Sequence, residues 1–334
     1  MSQDDQNTAP GDLSRTLSRR SLMRNTAMAG VQVLFAAKCS SRGTNMNNAW
    51  QRVALDDVEI EFVEHGHGDA IFLVHAGVFS DWFRFVGESA ELDSFRVIRI
   101  RRAGYGHVKP MRHLTLRDHA RHAAALAERL GIKSIHWVGH SSSCQILLAL
   151  ALERPELVRS LALLEPAAGG GFEVPAGAEL GPAFLGPALA AFKAGDLSTA
   201  FDSFMRGVCG EGYREIIEAR LGKSGFQNAI RESDFFFRDE ISAVLESTFG
   251  PAEAAQIRQP VLCVEGGAQP PHLTLMSRQV SERTVQLLPQ TQVVIIPRVN
   301  HAMPLQEPEA VARVVASFVR SQSAGQSVKS GYTA

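Results

Sequence analysis

The run AIFLVHAG at residues 70–77 is apolar at successive positions rather than at alternate ones. A strand of that kind has no face for water and must be covered by other elements on both sides. The runs FRVIRIRR (95–102), SIHWVG (134–139), VRSLALLEP (158–166), QPVLCVEGG (259–267) and TQVVIIP (291–297) read as further strands. Helical spacing separates most of them, in LTLRDHARHAAALAERLGI (114–132), CQILLALALERP (144–155), LMSRQVSERTVQLL (275–288) and PEAVARVVASFVRS (308–321). Strands alternating with helices predict an α/β domain with a mostly parallel sheet. Thr115 and Asp118 stand as a capping box at the start of the first of these helices, and Gly131 stands at its stop. Ahead of them, VALDDVEIEFVEHG (53–66) reads as two strands joined by a turn at Asp56-Asp57.

The rhythm stops between residues 167 and 259, where Gly, Pro, Ala and Phe are frequent and EGYREIIEARL and DEISAVLESTF have helical spacing. A stretch of that length is too long for a loop in a compact domain, so it predicts a helical insertion that covers something. The chain then divides into a core of residues 46–166 and 260–322, a cap of 167–259 and a loose polar tail of 323–334.

With 34 basic and 35 acidic residues, the chain has no broad field to hold nucleic acid or an anionic membrane. The partner expected is a small-molecule substrate, and nothing in the sequence sets an oligomeric state. No segment is apolar over enough length to span a membrane. The four cysteines form neither a disulfide framework nor a metal-ligand spacing, and Cys144, Cys209 and Cys263 read as buried and inert. Near the N-terminus, Arg19 and Arg20 precede a mildly apolar stretch at 26–37, the pattern of an export signal resembling the twin-arginine type, over residues 1–45. That implies a periplasmic or extracellular protein; the other reading is an N-terminal extension of a cytoplasmic one. Lys38 before Cys39 fits a lipoprotein cleavage site badly.

The stretch WVGHSSSCQILLALAL (137–152) joins a strand to a helix through a Gly-x-Ser turn. Such a turn holds a serine exposed at the C-terminal edge of a parallel sheet. Gly139 sets the phase and selects Ser141, so Ser142 follows the nucleophile and Ser143 stands where glycine is usual. A serine-rich helix start capping its own N-terminus is the structural alternative.

From about Gln51 to Arg320 the chain resembles the α/β-hydrolase superfamily. FLVHAGVFSDWF (72–83) is similar to that family's His-Gly-x stretch, with Ala76 in place of the usual glycine. The resemblance implies an oxyanion hole from the backbone N–H of Gly77, or else of Val78, together with that of Ser142. RRAGYGHV (101–108) is similar to the family's Asp-Arg-Gly-x-Gly-x-Ser turn, with Arg101 where an aspartate is common. VVIIPRVNHAMPLQEPEAVARVVASFV (293–319) places His301 where the family carries its catalytic histidine. The acid of the triad usually follows the strand read here as PVLCVEGG, and Gln269 occupies that place in GGAQPP. A glutamine cannot balance an imidazolium. Three possibilities stand: Glu165, one strand earlier, Glu265 at the end of the later strand, or no carboxylate partner.

Val78, His140, Phe235 and Phe236 are candidates for a substrate pocket, with Phe201, Phe204, Phe226 and Phe237 either lining it or filling the cap's own core, and Asp234, Arg238 and Asp239 forming a solvated face. The implied function is a serine hydrolase acting on a small ester, lactone or related acyl compound, with no metal or organic cofactor. Two alternatives are a carbon-carbon hydrolase or cofactor-independent lyase on the same fold, and a ligand-binding relative with little turnover. Ser141 at the elbow excludes the aspartate nucleophile of epoxide hydrolases and haloalkane dehalogenases.

Overall fold

A computed structural model describes residues 49–55, 57–106, 110 and 112–329. The expected signal at residues 1–45 and the Asp56 half of the first turn lie outside the described residues. Eight strands form one sheet: β1 (Gln51–Ala54), β2 (Glu59–His65), β3 (Ala70–Val74), β4 (Arg96–Arg101), β5 (Ile135–His140), β6 (Val158–Leu164), β7 (Val261–Gly266) and β8 (Thr291–Ile296). Their order is β1-β2-β4-β3-β5-β6-β7-β8, antiparallel at β1-β2 and β2-β4 and parallel from β4 onward. β3 is buried at every position, as an unalternating apolar run requires.

The helices are α1 (Arg84–Gly87), α2 (Leu116–Arg129), α3 (Ser143–Glu153), α4 (Pro175–Lys193), α5 (Leu197–Cys209), α6 (Tyr213–Phe235), α7 (Ile241–Glu246), α8 (Pro251–Ala254), α9 (Pro271–Leu287), α10 (Met303–Gln306) and α11 (Pro308–Lys329). The capping box of α2 forms as the sequence predicts, with reciprocal bonds between Thr115 and Asp118. Helix α11 continues to Lys329, into the stretch expected to be a loose tail. α6 is kinked at Gly222, and a five-residue π turn, Phe236–Glu240, leads from it into α7.

Two apolar clusters lie on the two faces of the sheet, one built on Phe72, Trp137 and α3, the other on Leu73, Val97 and α11. Helices α4 to α7, between β6 and β7, contribute to a third cluster, around Phe201, Met205, Phe226 and Phe237. This cluster takes in Ala76, Val78, Phe79 and Trp82 from the segment after β3. These helices and that segment therefore share one core. Arg101, in the place of an aspartate, is held by Glu61 (3.0 Å) under the ring of Trp50.

Candidate active site

Among the described residues four non-glycine residues have a left-handed backbone, and three of them lie at the expected site: Val78 (φ 75°), Ser141 (φ 56°) and Glu165 (φ 47°). Such conformations cost about 1–3 kcal/mol each and persist where surrounding structure over-determines them. Ser141 is fixed by its own N–H, which donates to the Leu164 carbonyl at 2.9 Å, and by its carbonyl, which accepts from the Cys144 N–H at 3.0 Å. The elbow needs the helix close to the strand, and Gly139 meets that need, since a Cβ there would lie 2.9 Å from Leu147 and 3.0 Å from the Ser143 carbonyl. Ser143, in the place of a glycine, is bonded rather than merely accommodated. Its hydroxyl accepts from the His140 N–H (2.7 Å) and lies 2.7 Å from the Val74 carbonyl, which ties the ends of β3 and β5 together.

Glu165 ends β6 and is 8% exposed. Its N–H donates to Val264, so the β6–β7 register sets its position as the β5–β6 register sets that of Ser141. Oε2 lies 3.5 Å from His301 Nδ1, an ion-pair distance long for a hydrogen bond. Oε1 accepts from the Gly266 N–H (2.6 Å) and from Gln269 Nε2 (2.7 Å). Gln269, in the place where the resemblance puts the acid, is thus a donor to Glu165 one strand away. Glu265, the other carboxylate considered, has no contact with His301 among the described residues. Burial, reinforced by the nearby charge of Glu165, pushes its carboxyl above the ordinary value.

His301 sits in a tightly tied turn. The Asn300 N–H donates to Gln306 Oε1 (2.8 Å), and Asn300 Nδ2 donates to the Cys209 carbonyl of α5 (2.7 Å). His140 Nε2 donates to the His301 carbonyl at 2.9 Å, with the two rings 4.7 Å apart. His140 therefore supports the histidine turn from below the surface, fully buried, and does not reach the cavity. His75 bonds through both nitrogens, Nδ1 donating to the Ala76 carbonyl (2.6 Å) and Nε2 accepting from the Arg102 N–H (3.1 Å), which fixes a neutral tautomer.

The N–H of Gly77, the expected oxyanion donor, donates instead to Ser142 Oγ at 3.0 Å. Its carbonyl accepts from Trp82 Nε1 (2.9 Å) and the Phe79 N–H (3.0 Å). The N–H groups of Val78 and Ser142 have no partner among the described residues.

A cavity of about 1090 Å³, counting its open mouth, runs from Ser141, Ser142, Glu165 and His301 up between the cap and α9. Its walls are mainly apolar: Phe184, Phe204, Phe236, Ile241, Val244, Leu273 and Met276. Of the four residues expected to line a pocket, Phe236 does. Phe235 packs on Tyr105 and His119 instead, and Val78 and His140 are buried away from the cavity. Phe201, Phe226 and Phe237 belong to the cap core, and Arg238 pairs with Asp234 and Asp239 at the surface. Cys144, Cys209 and Cys263 are buried free thiols, and burial pushes that of Cys263 up to about 12.

These features, a left-handed serine after β5, a carboxylate after β6 and a histidine after β8, define the class of protein. The Alpha/beta hydrolase family model matches residues 71–314, and the chain belongs to that family. Among solved structures it is similar to a thermophilic esterase from Thermogutta terrifontis (20% identity, TM-score 0.66, covering 81% of this chain and 99% of that one). It is equally similar in fold to an enol-lactonase from Burkholderia xenovorans LB400 (17% identity, TM-score 0.66, covering 81% and 100%). Among curated proteins it is similar to a probable lysophospholipase BODYGUARD 4 of Arabidopsis thaliana, 31% identical over 38% of this chain and 32% of that protein. The dihydrolipoyllysine-residue acetyltransferase component of an acetoin cleaving system from Cupriavidus necator is 27% identical over 36% and 33%. The chain spans about a third of the length of these curated relatives. No described helix is long and apolar enough to cross a membrane.

Burial dominates the titration of His75, His119 and His140 and holds all three imidazoles well below the usual histidine value. Below a pH of about 6.5 the unfolded chain takes up protons that the folded one refuses, so stability is intact above that pH and falls below it. Each imidazole withdraws up to about 1.4 kcal/mol per pH unit. Urea midpoints measured at pH 7.5, 6.0 and 5.0 are expected to fall steadily; a flat profile would show that these imidazoles accept protons within the fold.

Proposed function

We propose that the protein is a serine hydrolase that cleaves an uncharged carboxylic ester or lactone through an acyl-enzyme. The observation that carries this reading is the carboxylate–imidazole pair of Glu165 and His301, opening on the same cavity as the left-handed Ser141. Glu165 orients the imidazole with Nδ1 toward the acid, which leaves Nε2 as the base. Ser141 Oγ attacks the carbonyl carbon while His301 takes its proton. The negative charge that develops on the carbonyl oxygen is met by the Ser142 and Val78 N–H groups, with Gly77 holding the turn. His301 then protonates the leaving oxygen, and water, deprotonated by the same imidazole, releases the acid. The lyase and carbon-carbon readings gained their weight from the missing acid at position 269, and Glu165 now stands within ion-pair distance of the histidine.

The cavity supports the substrate class. The ionisable side chains facing it, among the described residues, are Glu165, Glu265 and His301, together with buried thiol Cys263; no lysine or arginine lines it. An apolar acyl group suits such walls, whereas an anionic substrate would find no cation. Gly177 and Gly181 of α4 open the wall, and a Cβ at Gly181 would meet nothing within 4 Å. The Arg19-Arg20 stretch supports export of the chain before it meets that substrate.

Fluorophosphonate labelling mapped by mass spectrometry is expected at Ser141, abolished in Ser141→Ala and strongly slowed in His301→Ala; Glu165→Gln is expected to lower turnover by about three to four orders of magnitude. Normal labelling in Glu165→Gln would show that the acid is another residue, and saturable binding without turnover would favour a ligand-binding protein. Gly181→Leu is expected to leave butanoate ester hydrolysis within about twofold of native and to cut kcat/KM for decanoate esters at least about tenfold; equal effects on both would place the acyl chain elsewhere. A fusion of residues 1–45 to a reporter active only after export of the folded protein is expected to give signal that Arg19→Lys/Arg20→Lys abolishes, and a reporter kept in the cytoplasm would remove the export proposal.

A further inference from the structure

Behind the elbow lies a buried carboxylate that the proposed chemistry does not use. Glu240, the last residue of the π turn, comes down from the cap with its side chain fully buried. Its oxygens accept from Arg102 Nη2 (2.9 and 3.0 Å), from the Tyr105 hydroxyl and from Ser142 Oγ (2.6 Å). Burial and the Glu240 charge push the Tyr105 phenol well above its ordinary value, so it remains a donor. A buried ion pair is a weak source of stability compared with apolar packing, which directs attention to what else the carboxylate touches.

What it touches is the oxyanion turn. Ser142 has one hydroxyl proton, and the carboxylate takes it; the lone pairs left on Oγ then accept the Gly77 N–H at 3.0 Å. Donation to an anion makes Oγ a better acceptor, so the two bonds reinforce each other. The contact is close, since a Cβ at Gly77 would lie 3.2 Å from Glu240 Oε1 and 2.6 Å from the Phe236 ring. On its other side Gly77 is pinned through its carbonyl by Trp82 and Phe79. The Gly77–Val78 peptide is planar, so fixing the carbonyl also fixes the direction of the Val78 N–H. Val78, a β-branched residue at φ 75°, would leave that conformation if the turn were released.

We propose that Glu240 is a positioning residue for the oxyanion hole, acting through the Ser142 hydroxyl to occupy the Gly77 N–H and hold the Val78 N–H open to the substrate oxygen. This rests on the serine-hydrolase reading above. The paired Arg102 keeps the carboxylate from placing a net charge beside the developing oxyanion.

The test is a double-mutant cycle on the full chain with a butanoate p-nitrophenyl ester. Ser142→Ala removes the relay and leaves the Arg102–Glu240 pair and the residue 142 N–H in place. It is expected to lower kcat roughly ten- to a hundredfold at unchanged KM, and to weaken inhibition by butylboronic acid, which adds to Ser141 as a tetrahedral anion, by a similar factor. Glu240→Gln is expected to lower kcat as well, and the double variant to be no slower than Ser142→Ala alone. Effects that multiply in the double variant, a native or raised kcat in Ser142→Ala, or a change confined to KM would each overturn the proposal. If Glu240→Gln does not fold, the kcat and boronic acid results on Ser142→Ala decide. A native protein that neither labels at Ser141 nor turns over any ester would remove the hydrolase reading itself, whereas a working native enzyme indifferent to Ser142→Ala would remove only this inference.

Discussion

The hydrogen bond from the Ser141 N–H to the Leu164 carbonyl is the contact on which the site depends. It extends the parallel ladder of β5 and β6 one step beyond the strand ends, and the bond from the Glu165 N–H to Val264 does the same between β6 and β7. Ser141 and Glu165 are thereby placed by the register of three neighbouring strands rather than by loops. In a parallel sheet buried on both faces, a shift of register would displace the core as well as the site, so the geometry is as stiff as the sheet.

The same stiffness lets Glu165, one strand earlier than the family's usual acid, stand within 3.5 Å of His301 Nδ1. Strand ends β6 and β7 open on the same edge, and either can reach the histidine turn after β8. With Glu165 in place, a second carboxylate at position 269 would raise the cost of ionising both. Gln269 offers the opposite, an amide that donates to Glu165 Oε1 at 2.7 Å. The two residues form a complementary pair, and substitution of one without the other would leave either a repulsion or a buried carboxylate with fewer donors.

How much of this could be read in the sequence differs by residue. The unalternating strands and the α2 capping box are local patterns, and they located β3, β5 and α2 well; the Gly-x-Ser turn points to Ser141, whose backbone is left-handed. His301 is expected from its place after a strand and ahead of a helix start, and it lies between β8 and α10. Three readings of the acid fit the local sequence, and what sets Glu165 apart from Glu265 is a distance in space, 3.5 Å to His301 Nδ1. The Glu240 network had no local mark at all: Glu240 and Arg102 lie 138 positions apart in the chain, inside a stretch whose neighbouring charges, Asp234, Arg238 and Asp239, do face solvent. Ser143 read as a crowded stand-in for glycine, because the carbonyl its hydroxyl meets belongs to another strand.

The third apolar cluster joins the turn after β3 to the cap helices, so the two are one folding unit although the sheet's own core lies elsewhere. A cap transplanted from a relative would arrive without partners for Phe79 and Trp82, and the turn they anchor would lose its shape. In this chain helices α4 to α7 and residues 76–83 are thus a single packing unit, joined also by Ala302 and Leu305, and exchanging those helices alone would strip that short segment of its apolar cover.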